Sequence, residues 1–173
     1  MTAPLTGALQ TPSLKRRLAC MAYEGVLLFG VLMFAGFIYS GLTQQRHALQ
    51  GQGGMQAFLF VILGLYFVWF WTHGGQTVAM KAWHIKLLDA QGAPVAPKRA
   101  LCRYLASWIW FVPALLAARL AHLPSSTAIF GLLLAGMLAY ALLALLHPQR
   151  QYWHDRLCGT QLVVSRPPPR KRK

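Results

Sequence analysis

Four long stretches almost free of charge dominate this sequence: residues 18–42, 55–72, 104–121 and 127–146. A bilayer core about 30 Å thick is crossed by roughly 20 apolar residues in a helix. Inside lipid the backbone must satisfy its own hydrogen bonds, which a helix does unaided. Glu24 alone interrupts the first stretch. The second ends in Trp69 and Trp71, the third carries Trp108 and Trp110, and such placement fits aromatic anchoring at a membrane surface. Pro113 and Arg119 make the third stretch the least regular. The expected fold class is therefore an all-α integral membrane protein, a four-helix transmembrane bundle. The first stretch, about 25 residues long with no A-x-A site after it, does not read as a signal peptide, whose apolar core is about 7–15 residues.

Charge then assigns sides. Only three residues are acidic against 17 basic ones, a formal net charge of +14. Three basic residues precede the first stretch (Lys15, Arg16, Arg17). Five lie between the second and third (Lys81, Lys86, Lys98, Arg99, Arg103), and seven follow the fourth, so 15 of 17 fall on one side. By the positive-inside rule that side is cytoplasmic, with both termini inside. A nucleic-acid module keeps its basic residues on one continuous wet face; here they alternate with apolar spans, and no nucleic-acid partner is expected. The bilayer itself is the expected partner, with anionic headgroups at the basic loops. Residues 1–13 read as a flexible N-terminal segment, and 165–173, ending RPPPRKRK, as a basic disordered tail.

Between the second and third stretches, WHIKLLD (83–89) followed by AQGAP reads as a short strand-like segment ending in a turn, with Asp89 serving local backbone hydrogen bonds. Lys98, Arg99 and Arg103 share a helical face and read as snorkelling side chains at headgroup height. Gly131, Ala135 and Ala139 form a small-residue stripe suited to close helix packing, within the chain or between copies. Cys20, Cys102 and Cys158 have no paired spacing and read as structural.

Chemistry is sparse. Glu24 stands about 9 Å into the first span at 1.5 Å per residue, where a bare carboxylate must pair, protonate or face a polar cavity. Arg17 lies two turns earlier on the same face. Two readings stay open for Glu24: a structural ion-pair partner, or a station on a proton or cation path. His154, beside Asp155, is a possible proton relay, although a lone interfacial histidine more often packs or hydrogen-bonds. There is no nucleophile with a base beside it, no metal-ligand cluster and no phosphate loop, so neither an enzyme nor a cofactor is expected.

Three blocks resemble a known family. RRLACMAYEGVLL, with Arg17 seven residues before an acidic position, resembles the opening of the RDD family of small bacterial membrane proteins, named for one arginine and two aspartates. Residues 74–105 resemble its central loop, with Arg99 and Arg103 as an R-x-x-x-R pair. YWHDRLCGTQLVV (152–164) resembles its closing block, with an H-D-x-x-x-G-T core. The resemblance covers residues 14–164 and implies that Arg17, Glu24 and Asp155 stand for the naming residues, with Glu in place of the first Asp. Ala79 stands where the central loop has a glycine. The resemblance further implies a multi-pass bacterial plasma-membrane protein, with transport, including cation–proton exchange, suggested for some members.

Arg17, Arg103, Glu24 and Asp155 are thus expected in one polar cluster, two arginines against two carboxylates. The expected function is a small transporter or cation/proton exchanger using these carboxylates. It is expected to be oligomeric, because four helices make a thin wall. The alternative is an accessory membrane protein in which the cluster only holds the bundle and the basic loops dock a partner.

Overall fold

A computed structural model describes residues 10–43, 52–121, 125–143 and 151–165. Helix α1 (Leu14–Thr43) and helix α2 (Gln52–Thr72) are followed by a single-turn helix α3 (Val78–Ala82) and strand β1 (Ile85–Asp89). Helix α4 (Pro97–Ser107) then leads through a 3-10 turn at Trp108–Trp110 into α5 (Val112–Leu120). Helix α6 (Ser126–Leu143), the short α7 (Trp153–Leu157) and strand β2 (Thr160–Val164) complete the chain. Leu14–Thr43, Gly53–Thr72 and Pro97–Ala118 are long and apolar enough to cross a membrane, and Thr127–Leu143 is a shorter apolar helix. This is a mostly helical membrane protein with three to four candidate spans. Residues 144–146 of the expected fourth span, residues 1–9 of the N-terminal segment and residues 166–173 of the tail lie outside the described residues.

The surface supports that reading. Phe37 and Leu42 of α1 are each 80% exposed, and Phe29, Phe34, Val61, Leu65 and Phe130 also point outward. Such continuous apolar exposure would be costly in water and is natural against acyl chains.

Two elements differ from the sequence reading. The third span is broken, because Pro113 cannot donate to the preceding turn and its ring clashes with the carbonyl four residues back. The chain tightens to the 3-10 turn and restarts at Val112. The fold is also not purely helical: the strand-like segment expected at 83–89 is β1, and it pairs antiparallel with β2, which was not expected. The register sets Ile85 opposite Val164, Leu87 opposite Leu162 and Asp89 opposite Thr160. Beyond β2, Val164 N–H donates to the Gln10 carbonyl at 2.8 Å. The Gln151 side chain accepts from Leu162 N–H (3.1 Å) and donates to its carbonyl (2.9 Å), in the manner of a further strand.

The buried core lies where the segments between the spans gather. Ile85, Leu87, Val95, Ala79, Met80 and Ala100 pack with Cys20 of α1, Trp71 of α2, Tyr104 of α4 and Leu162 of β2. Ala79, in the glycine position of the family block, is fully buried, so this packing accommodates its methyl. Gly75 has φ +73°, and a Cβ there would stand 2.5 Å from the Leu87 carbonyl oxygen, so glycine is required where this turn meets β1. Asp89 ends β1 as expected: its Oδ1 accepts from Gln91 N–H (3.0 Å) and Ala93 N–H (2.7 Å). The small-residue stripe of α6 faces outward: Gly131, Ala135 and Ala139 are exposed, whereas Met137, Tyr140 and Ala141 face the core.

Candidate functional site

At the junction of this core with the spans lies a cavity of about 350 Å³, lined from α1, α2, α4, α6 and the cap built on the two strands. Arg17, Glu24, Arg103 and His154 lie on its wall. Asp155, fully buried, stands directly behind Arg103. Of the residues singled out in sequence, Arg17, Glu24, Arg103, His154 and Asp155 thus come together, but not in the pairing expected.

Arg103 carries the tight ion pair. Its Nε donates to Asp155 Oδ1 at 2.7 Å, and its guanidinium lies 4.3 Å over the ring of Trp71. Spacing alone set Arg103 with Lys98 and Arg99 at the headgroup level; instead it is 7% exposed and points inward. Arg99, one turn earlier, remains 45% exposed at its side chain, 3.6 Å from Asp89, and lies outside the cavity.

Helix α7 and its exit position Asp155. Gly159 adopts φ +61°, the left-handed turn that ends this helix, and its carbonyl accepts from Ala90 N–H at 3.0 Å. Thr160 Oγ1 donates to the Asp155 carbonyl (3.2 Å) and sits 3.4 Å from Oδ1. The H-D-x-x-x-G-T block is therefore a turn that fixes one carboxylate.

Glu24 is not paired with Arg17. Oε1 accepts from the Tyr66 hydroxyl of α2 at 2.6 Å, and Oε2 accepts a very short hydrogen bond from Thr77 Oγ1. Thr77 also caps α3, receiving Met80 N–H at 3.2 Å. The pairing of Arg17 with Glu24 fails because two turns of helix separate them and nearer hydroxyls meet the carboxylate first. Arg17 instead lies 4.5 Å over the ring of Tyr152. Its Nε and Nη1, buried, have no hydrogen-bond partner among the described residues.

His154 packs flat against Tyr140 and Tyr152. Its Nε2 is 3.5 Å from Asp155 Oδ1, and its Nδ1 is 3.2 Å from the Tyr140 hydroxyl. Burial pushes the imidazole down to about 4, with Asp155 pulling the other way and Arg103 lowering it further. At neutral pH it is uncharged. Burial also raises the Tyr152 phenol to about 12, an effect partly offset by Arg17.

Sequence reasoning missed Tyr66, Thr77, Trp71, Tyr152 and Thr160. Trp71 looked like a membrane-surface anchor beside Trp69; Trp69 is 61% exposed and fits that role, but Trp71 is 4% exposed beneath Arg103. Thr77 left a signal as a polar residue in the central-loop block, and Tyr152 and Thr160 as members of the closing block. Spacing also gave no hint that two of the cysteines are neighbours: Cys102 Sγ lies 2.8 Å from Cys158 Sγ.

Compared with known protein families, the chain matches the RDD family over residues 11–159. No curated protein and no solved structure matches it.

Proposed function

The chain belongs to the RDD family, and from that premise we propose that it is a small transporter of the bacterial plasma membrane, exchanging a proton against a cation at Glu24. The observation that carries this reading is the company Glu24 keeps. A fixed arginine partner would hold the carboxylate ionised. Hydroxyls are both donors and acceptors, so Tyr66 and Thr77 can donate to the carboxylate and, rotated, accept from the carboxylic acid. Glu24 is 8% exposed and on the cavity wall, so a cation displacing its proton would be held between the same groups.

The proposed role is non-enzymatic: it moves a proton and an ion and makes or breaks no substrate bond. Asp155 serves differently, as the buried counter-charge that fixes Arg103. The partners in this reading are the bilayer, with anionic headgroups at the basic loops, and further copies of the same chain. Cation flux driven by a pH gradient in proteoliposomes tests it. Flux should be present in the wild type and lost in Glu24→Gln; flux that is absent, or equal in the variant, sinks the exchanger. The accessory reading would then stand, favoured by the sealed Arg103–Asp155 pair as a purely structural lock.

A further inference from the structure

Two carboxylates and two arginines surround the cavity, yet only one cation is neutralised. Asp155 Oδ1 is taken by Arg103 and approached by Thr160, and both Glu24 oxygens accept from hydroxyls. No carboxylate pairs with Arg17 among the described residues, although it is only 2% exposed. A buried guanidinium without an anion is costly to keep. The unmet donors extend beyond it. Trp71 Nε1 and Trp108 Nε1, on residues lining the same cavity, also have no partner among the described residues. Against these donors stands one unpartnered oxygen, Asp155 Oδ2.

The rest of the wall is apolar, with Leu28, Leu63, Phe67, Phe111 and Met137 running away from the arginine end. The volume, about 350 Å³, is at the lower end of the range for small-molecule sites. A small inorganic anion would neutralise Arg17 but leave that wall without contacts. A neutral chain would fill the wall and leave the guanidinium unpaired. We propose that this cavity binds an anionic amphiphile, its acidic head on Arg17 within reach of the indole N–H groups and its acyl chain along the apolar wall. The head is a carboxylate or a phosphate monoester, whose oxygens match the fork of an arginine. Such molecules partition into the bilayer that surrounds α1, α2 and α6. The inference does not depend on ion exchange at Glu24.

The test uses the full chain in phosphatidylcholine nanodiscs, titrated with brominated palmitate, whose bromines quench tryptophans near the bound chain. Parallel arms compete with unlabelled palmitate, 1-palmitoyl lysophosphatidic acid, hexadecyltrimethylammonium, monopalmitoyl glycerol and inorganic phosphate. Saturable quenching is expected, displaced by the two anionic amphiphiles and not by the cationic or neutral ones. Preference between palmitate and the lysophosphatidic acid distinguishes a fatty-acid source from a phospholipid one. Arg17→Gln should weaken binding at least tenfold, and Arg17→Lys should restore part of it. Glu24→Gln should abolish flux while palmitate binding is kept or tightened, because it takes a negative charge off the cavity wall, and this separates the inference from the exchanger.

Because Arg17→Gln can disturb folding, Gly25→Leu provides a second variant. A Cβ at Gly25 meets nothing within 4 Å, and the larger side chain would occupy the cavity wall. It should weaken the palmitate several-fold in a protein that melts like the wild type. Equal displacement by the neutral amphiphile, unchanged binding in both variants, or full displacement by inorganic phosphate alone would each overturn the proposal.

Discussion

With Asp155 Oδ1 receiving Arg103 Nε at 2.7 Å and both residues nearly sealed from solvent, removing the carboxylate strands a cation in the core. Breaking one half of such a pair typically costs about 3–5 kcal/mol, whereas replacing both halves with apolar residues of similar volume costs far less. Asp155→Ala should therefore fall in that range, and Arg103→Met with Asp155→Leu should recover much of the loss, read by thermal unfolding in nanodiscs. His154 gives a second prediction, in pH. Its folded value near 4 lies below the ordinary 6.5, so the unfolded chain binds more protons between those values and stability rises with pH there. Stability is full above pH 6.5 and is lost on acidification towards pH 4, by about 3 kcal/mol at 1.36 kcal/mol per unit. Unfolding measured from pH 7 down to pH 4 should show this slope in the wild type and a shallower one in His154→Gln. Equal slopes would remove His154 as the cause. The charged members of the site were legible because so few charges exist outside basic runs. Their partners were not, since Tyr66, Trp71 and Tyr152 are ordinary in apolar or interfacial sequence and only the packing of α2 and α7 against α1 and α4 gives them roles.

At the scale of elements, the length of the apolar runs located α1, α2 and α6 well, because lipid selects for uninterrupted hydrophobicity. Short elements escaped it. TQLVV is too brief to carry a period of its own, and its partner IKLLD lies about 75 residues away, so the β1–β2 ladder depends on a pairing that local pattern does not encode. Pro113 was visible, but the 3-10 turn that absorbs it is a tertiary solution. Two predictions belong here. Gly75→Ala should cost more than about 2 kcal/mol, since the left-handed conformation alone costs about 1–2 kcal/mol and the new methyl also meets the Leu87 carbonyl of β1. Gly131→Ala, with open space around it, should be neutral or slightly stabilising; melting curves of the two variants read the contrast. The second concerns Cys102 of α4 and Cys158 after α7. Their adjacency means that an added copper–phenanthroline oxidant should join them in one disulfide, taking two electrons and releasing two protons. Burial and the neighbouring Cys102 thiol push Cys158 up to about 12, so without oxidant it should resist maleimide at pH 7.5 while the exposed Cys102 reacts. Peptide mapping reads both outcomes; a faster Cys158 would refute the packing of α7 on α4.

At the scale of the whole molecule, two hydrogen-bonded connections limit how the chain threads the bilayer, independently of charge. Val164 N–H reaches the Gln10 carbonyl, and β2 pairs along its length with β1. The segment before α1, the segment between α2 and α4, and the segment after α6 therefore meet at one end of the bundle. Between any two of them the chain must cross an even number of times. The candidate spans α1 and α2 make one such pair. The bent Pro97–Ala118 helix and α6 would make a second, and these two cross together or not at all. At 1.5 Å per residue the 18 residues of α6 span about 27 Å, slightly under the bilayer core. The basic residues point the same way: 15 of 17 lie in the three segments that meet or in the first two turns of α1 and α4 that adjoin them, and crossing by only one of the two would divide them between sides. In a chain with its three cysteines replaced by serine, Gln50→Cys and Leu123→Cys should then label with a membrane-impermeant maleimide in intact cells. Lys173→Cys should label only after the membrane is opened. Failure at position 123 with success at position 50 would mean that α5 and α6 fold back from the bilayer as a re-entrant hairpin. Labelling of positions 50 and 173 together in intact cells would contradict the shared end that the hydrogen bonds require.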